Sequence, residues 1–274
     1  MNYKVLEFDE PEPEKQEILI AFLAEAGFEM FEETDSGIKA FVEESSYDEN
    51  KLDELVISRF SAISFSVSQI PRENWNEVWE KNFEPMQVGE VYIRAPFHPK
   101  KEGVKYELII EPKMSFGTGH HATTTLMIRE MLKTDFSDKK VLDMGCGTSL
   151  LAILASKRGA AEIVAVDIDD WAVENSRENC VRNSIENITV MKGDAGTIKG
   201  LHFDIILANI NRNVLLDDMQ AYSESLVPGG EIILSGFYEN DMDAILQCAG
   251  KFGFTQMSSE ILNQWVVMHF AKMA

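Results

Sequence analysis

From about Asp138 onward the chain repeats one unit, and that repetition limits the fold more than any other feature. "KKVLDMG" has the apolar density of a strand, and "SLLAILASKRG" reads as a helix closed by Gly159. "EIVAVD" and "DDWAVENSRENCVRN" follow in the same order, then the strands "NITVMKGD" and "FDIILAN". The helix "NVLLDDMQAYSESL" comes next, ended by Pro228-Gly229-Gly230, followed by the strand "EIILSG" and the helix "NDMDAILQCAGKFG". Strands that alternate with helices pair in parallel, with helices on both faces. The last two strands, "FTQMSSEI" and "QWVVMHFA", have only a short turn between them, which implies an antiparallel edge. The expected fold class is α/β: a mostly parallel, doubly wound sheet with an antiparallel edge.

The first 70 residues follow another plan. "YKVLEF" reads as a strand, and "EPEKQEILIAFLAEAG" as a helix with Gly27 just past its end. "FEMFEET" and "GIKAFVEE" form a hairpin around Asp35-Ser36-Gly37, "YDENKLDELVISRF" a second helix, and "AISFSVSQI" a period-two strand. The order β-α-β-β-α-β is the split pattern of ferredoxin-like domains, a fold that by itself says little about function. Between the two lies a connector, residues 71–110. It holds a helix with Trp75, Val78, Trp79 and Phe83 at helical spacing, then the strands "VYIRAPF" and "YELIIEP". The expected division is thus 1–70, 71–110 and 111–274.

Composition excludes several functions. Lys plus Arg number 25 against 46 Asp plus Glu, a formal charge of -21, which argues against binding nucleic acid by phosphate neutralisation. Such a charge suits a basic partner or solubility alone. Cys146, Cys180 and Cys248 show no C-x-x-C spacing, so neither a disulfide framework nor a thiolate zinc site is expected, and the usage fits a reducing cytoplasm. No apolar run is long enough to span a membrane, and the N-terminus lacks the pattern of a secretory leader.

The chemistry concentrates in "VLDMGCGTSLLAI". An apolar strand ends at Asp143, Gly145 and Gly147 make a tight turn, and a helix starts near Thr148, presenting free N–H groups. A dinucleotide loop would have a third glycine where Leu150 stands. D-x-G-x-G after a strand instead resembles the S-adenosylmethionine loop of Rossmann-like (class I) methyltransferases. Asp167, at the end of the next strand, is placed to accept hydrogen bonds from ribose hydroxyls, which fits either a nicotinamide cofactor or S-adenosylmethionine. Asp169 reads as a helix N-cap. Asp194 in "GDA" is a turn residue in most contexts; in this methyltransferase class an Asp there resembles the acceptor of the adenine amino group. Asn209 in "ANIN" lacks the prolines and aromatic of the [ND]-P-P-[YFW] motif, so purine-amine and glutamine-amide methylation are disfavoured.

"SFGTGHHATT", "DMGCG", "VDID" and "ANI", in this order and spacing, resemble PrmA, a family of bacterial methyltransferases acting on a large-subunit ribosomal protein. The resemblance runs from about Trp75 to the C-terminus. It implies S-adenosyl-L-methionine as cofactor, contacted by Thr124, Gly145, Gly147, Asp167, Asp194 and Asn209, with Phe116, Gly117, Thr118 and Gly119 as a loop over the methionine end. It implies methylation of lysine side chains and an N-terminal α-amine. Three departures stand out: Thr148-Ser149 for the usual Ser-Gly, Ala122 for Pro, and His120 for Thr, so that the family's histidine corresponds to His121. The catalytic candidates are Asn209, as an orienting group, and His121, as a proton relay or a hydrogen-bonding loop residue. No metal is expected: adjacent histidines diverge and no third ligand is near. The partner implied is the basic ribosomal protein, with no nucleic acid and no membrane, and the enzyme is expected as a cytoplasmic monomer. The other readings are a class I methyltransferase acting on another protein or a small molecule, a nicotinamide oxidoreductase, and a non-enzymatic binding module.

Overall fold

A computed structural model of the chain describes residues 3–9, 12–34, 37–60, 63–70, 84–111 and 121–273. The expected connector helix around residues 75–83 and the expected loop with Phe116, Gly117, Thr118 and Gly119 lie outside them. The chain forms two compact units, Met1–Phe83 and Glu84–Ala274.

In the first unit, β1 (Tyr3–Asp9), β2 (Met30–Thr34), β3 (Gly37–Glu43) and β4 (Ser64–Ile70) form an antiparallel sheet ordered β2-β3-β1-β4. Helix α1 (Pro13–Glu25) starts with proline at its first position, where no N–H is needed. Gly27 then takes φ 104°, and the Gly27 and Phe28 amides return to Ala24 and Leu23 carbonyls, the paired bonds of a Schellman ending. The second helix, α2 (Glu49–Leu52), is capped by Asp48 and runs on into a π turn, Asp53–Ile57. Leu6, Phe8, Ile38, Ala40 and Val42 alternate along their strands to meet Leu19, Leu23, Leu52 and Val56 from the helices in one core.

In the second unit a seven-stranded sheet has the order β10-β9-β8-β11-β12-β14-β13. Its strands are β8 (Lys140–Met144), β9 (Glu162–Asp167), β10 (Ile188–Lys192), β11 (Phe203–Asn209), β12 (Leu226–Tyr238), β13 (Phe254–Leu262) and β14 (Trp265–Lys272). The first five are parallel, and β14 runs antiparallel to both β12 and β13. Alternate strand residues feed two cores. Val141, Ile163, Ile205, Ile233 and Val267 face α3 (Ala122–Lys133), α4 (Leu150–Lys157) and part of α5 (Asp170–Arg182). Leu142, Val164, Ile206, Ile232 and Val266 face α6 (Arg212–Ser225) and α7 (Met242–Lys251). The described part of the connector belongs to this unit. Strands β5 (Met86–Val88), β6 (Val91–Arg94) and β7 (Tyr106–Ile109) form a small sheet whose Val88, Val91, Ile93 and Leu108 extend the first of these cores.

One local expectation is corrected. Pro228-Gly229-Gly230 does not end α6, which stops at Ser225; these residues lie inside β12. The pairing with β11 shifts register here, passing from Phe203–Leu226 to Ile205–Glu231. The proline thus sits at an irregularity, where its missing N–H breaks no regular ladder bond.

Candidate active site

The sheet order reverses at β8, since β9 and β10 lie on one side and β11 returns on the other. Ligands of open α/β sheets bind beyond the carboxyl ends of the strands at such a point. Gly145 follows β8 there with φ 69°, and Gly147 has φ 52°. A Cβ on Gly145 would stand 2.1 Å from Ile210 Cγ2, so the position needs glycine for both conformation and space. The Gly145 and Cys146 amides donate to the Val166 carbonyl at 2.8 and 3.0 Å, and the Gly147 amide donates to Asp167 Oδ2 at 2.9 Å. The loop is therefore tied to the end of β9 by three bonds.

Where the family resemblance leads one to expect glycine, Ser149 takes the left-handed conformation itself, φ 59° and ψ 24°, as the N-cap of α4. Its side chain makes no capping bond and instead meets the Ser176 hydroxyl. The capping acceptor comes from elsewhere: Asp143 Oδ2 receives the Ala152 amide at 3.0 Å. This explains the acidic residue before the glycines, a function sequence reading did not assign. Burial pushes the Asp143 carboxyl up to about 7, with the Ala152 bond opposing and the negative Asp167 adding to the rise.

Over the loop lies a cleft of ≈ 490 Å³, within the range of small-molecule sites. It brings together Gly145, Gly147, Asp167, Asp194, Asn209 and His121 of the expected set. Thr124 lies with Gly145 and Asn209 on an adjoining recess. Among the described residues, both Thr124 Oγ1 and Asn209 Oδ1 are buried without a hydrogen-bond partner. Buried polar atoms are rarely left so, because each costs about 1–3 kcal/mol. Asp167 Oδ1 accepts the Asp169 amide at 3.0 Å, and Asp194 Oδ1 accepts the Gly196 amide at 2.8 Å. A carboxylate has about four acceptor sites, so both retain capacity for a ligand.

His121 is the N-cap of α3, with Nδ1 accepting the Thr123 amide at 3.3 Å and lying 2.8 Å from Thr123 Oγ1. An Nδ1 that accepts places the ring proton of the neutral form on Nε2, which then donates rather than accepts. In this geometry the His121 side chain caps the start of α3. Its ring stands edge-on to Trp265, centroids 4.6 Å apart, and Trp265 packs on Tyr238 at 4.0 Å. Trp265 lines the cleft although it comes from the last strand, and no motif around it marks it as a site residue. Among the described residues no cluster of three His, Cys, Asp or Glu side chains could hold a metal, and no helix is long and apolar enough to cross a membrane.

This sheet order, with the cleft above its switch point, fits the expected class of Rossmann-like, S-adenosylmethionine-dependent methyltransferases. A family model described as "Ribosomal protein L11 methyltransferase (PrmA)" matches residues 8–273, and the chain belongs to that family. A ribosomal protein L11 methyltransferase from Phocaeicola vulgatus is 44% identical over 260 residues, covering 93% of this chain and 92% of that protein. One from Bacteroides fragilis is 43% identical, with 93% of each chain covered. The crystal structure of a ribosomal protein L11 methylase from Lactobacillus delbrueckii subsp. bulgaricus shares the fold, with TM-score 0.66 and 24% identity over 70% of this chain and 100% of that one. The cofactor fits what the residues offer: two buried polar atoms without partners among the described residues, beside Gly145, where the positive φ and the nearness of Ile210 favour glycine.

Proposed function

We propose that the enzyme methylates amino groups of ribosomal protein L11, both lysine side chains and the N-terminal α-amine. The partnerless Asn209 Oδ1 at the mouth of the glycine loop carries this reading. It is an acceptor with no proton to receive, suited to orienting an N–H group. Bound S-adenosylmethionine supplies an electrophilic methyl group on a sulfonium. The chain must supply a neutral amine aligned with it. A free lysine with pKa near 10.4 costs about 4.6 kcal/mol to deprotonate at pH 7, and an α-amine near 7.8 about 1 kcal/mol. Trp265, with Tyr238 packed on its ring, gives the cleft an aromatic wall. Removing water from the acceptor there favours its neutral form, and the positive charge of the cofactor acts in the same direction. Alignment supplies much of the remaining rate. Asp167 and Asp194 would hold the ribose and adenine, and Thr124 and Gly145 would contact the cofactor; Phe116, Gly117, Thr118 and Gly119, expected over its methionine end, lie outside the described residues.

The first unit, with 17 acidic and 5 basic residues between positions 1 and 70, is assigned to holding the basic substrate, and no nucleic-acid contact or partner subunit is needed. Transfer of labelled methyl groups to purified L11 tests the substrate. A truncation lacking residues 1–70 tests the role of the first unit: loss of transfer to intact L11 is expected, and unchanged transfer would refute that role.

A further inference from the structure

One strip of the buried face of α5 is polar, beside the apolar Ala172, Val173 and Cys180. Asn175, Ser176 and Asn179 are buried, and Asn183 follows as the C-cap, so amides recur every four residues along one side. A helix packed only for burial would present aliphatic side chains here, since each buried amide must find partners or cost free energy. The Asn179 and Asn183 amides find main chain, while Asn175 meets only the Asn179 side chain and its Nδ2 has no partner among the described residues. The Asn183 amide pairs with both polar groups of Ile109: Oδ1 accepts the Ile109 N–H at 2.9 Å, and Nδ2 donates to the Ile109 carbonyl at 2.7 Å. One turn earlier, Asn179 Oδ1 accepts the Glu111 N–H at 2.8 Å. On its other side, Asn179 Nδ2 donates to the Thr148 carbonyl at 3.1 Å and to Asn175 Oδ1 at 3.3 Å.

Asn179 thus joins two segments that do not otherwise share a described hydrogen bond. One is the glycine loop, whose Thr148 lines the recess with Thr124, Gly145 and Asn209. The other is the segment leaving β7, at Glu111. Arg182 from the same helix adds an ion pair to Glu111 at 2.8 Å. The neighbouring Ser176 contacts Ser149 and approaches the Cys146 sulfur, so three residues of the glycine loop rest on this helix face. Among the described hydrogen bonds, the Asn179 side chain reaches both segments, and it does so with opposite ends of one planar amide. A shift of the loop is therefore passed to Glu111 through a rigid group.

We propose that Asn179 is a positioning residue for methyl transfer: it sets the place of the glycine loop through the Thr148 carbonyl and couples that loop to the Glu111 segment. This rests on reading the cleft as the S-adenosylmethionine site. Asn179 lines neither the cleft nor its recess, so it acts through the glycine loop, and its effect is expected to fall mainly on cofactor affinity.

The full-length enzyme, with S-adenosylhomocysteine as calorimetric ligand and methyl transfer as assay, tests this. Asn179→Asp keeps the acceptor for Glu111 but sets a carboxylate against the Thr148 carbonyl. It should weaken S-adenosylhomocysteine binding and raise KM for S-adenosylmethionine on the order of 10- to 100-fold, the cost of one lost charge-sensitive bond, with kcat changed less than about threefold. Asn179→Ala, which adds no charge, should show the same split more weakly. Asn183→Asp, which disturbs the Ile109 pairing and the 2.8 Å bond from Asn183 Nδ2 to the Asn179 carbonyl but leaves the Thr148 and Glu111 bonds of the Asn179 side chain in place, should lower Tm comparably but leave affinity unchanged. In the wild type, the Glu111 amide, which lines no part of the cleft, should exchange more slowly when S-adenosylhomocysteine binds. Wild-type affinity in both Asn179 variants, an equal loss in Asn183→Asp, or unchanged Glu111 exchange would overturn the coupling. Absence of S-adenosylhomocysteine binding to the wild type would instead overturn the cofactor reading on which it rests.

Discussion

Asp143→Asn offers a direct view of the electrostatics beneath the cofactor loop. Asp143 is 1% exposed, and its Oδ2 caps α4 through Ala152. Burial first, and the negative Asp167 second, raise its pKa from 3.8 to about 7, against the Ala152 bond. A carboxyl raised in the folded state stabilises fully only below its unfolded value; stability is lost as pH climbs and the loss is complete above the folded value. With about 1.4 kcal/mol per unit, a rise from 3.8 to about 7 amounts to roughly 4 kcal/mol at pH 8, of which about 2 kcal/mol has already appeared at pH 5.5. Asparagine keeps an oxygen for the Ala152 N–H and carries no charge. Urea unfolding of both proteins from about pH 5.5 to 8 should therefore show the stability difference moving in favour of the Asp143→Asn variant by about 2 kcal/mol across the series, flattening above pH 7. For a domain of this size that corresponds to a relative Tm shift of roughly 4–8 °C. A difference constant with pH, or one that moves toward the wild type as pH rises, would refute the reasoning.

Three further substitutions probe the site and its support. Ser149 holds φ 59° as its own cost, so Ser149→Gly should be more stable than Ser149→Ala by about 1 kcal/mol in denaturant melts, although both lose the Ser176 contact; equal stabilities would mean the conformation carries no strain. His121→Asn retains a capping acceptor for the Thr123 amide and should keep most turnover, while His121→Ala should lose about 1 kcal/mol of stability; a large loss of kcat in both would establish His121 as chemical. Glu130 is buried, which alone would raise its pKa, but bonds from Ser258, Lys133 and His269 leave it below its usual value. Its contribution is present above pH 4.5 and lost as pH falls below that, so Glu130→Gln should cost about 3–5 kcal/mol at neutral pH and progressively less in acid, read from pH-dependent unfolding.

Features whose cause is local were legible before any coordinates. Gly145 and Gly147 declare a turn, Asp169 declares a cap, and the period-two and period-3.6 patterns declare the strands and helices around them. Gly27 is marked as a helix end for the same reason. What escaped is fixed by partners far along the chain. Asp143 caps a helix nine residues on, across the turn, and nothing in its neighbourhood says so. Trp265 reaches the cleft because β14 inserts beside β12, a consequence of sheet order. Pro228-Gly229-Gly230 reads as a stop signal, yet the strand absorbs it by a register shift. The asparagines of α5 did leave a signal in "ENSRENCVRN", their spacing of four, but only the main-chain groups of Ile109, Glu111 and Thr148 give that spacing a purpose.

The central claim is that this cleft delivers a methyl group from S-adenosylmethionine to amines of ribosomal protein L11. Mass spectrometry of intact and digested L11, after incubation with the enzyme and cofactor, tests it most directly. Mass gains of whole methyl groups on lysine side chains and the N-terminal α-amine, abolished by Asn209→Ala and by Asp167→Ala, are the expected result. L11 that remains unmodified while the enzyme binds S-adenosylhomocysteine would contradict the substrate, and methylation undiminished in both variants would contradict the site.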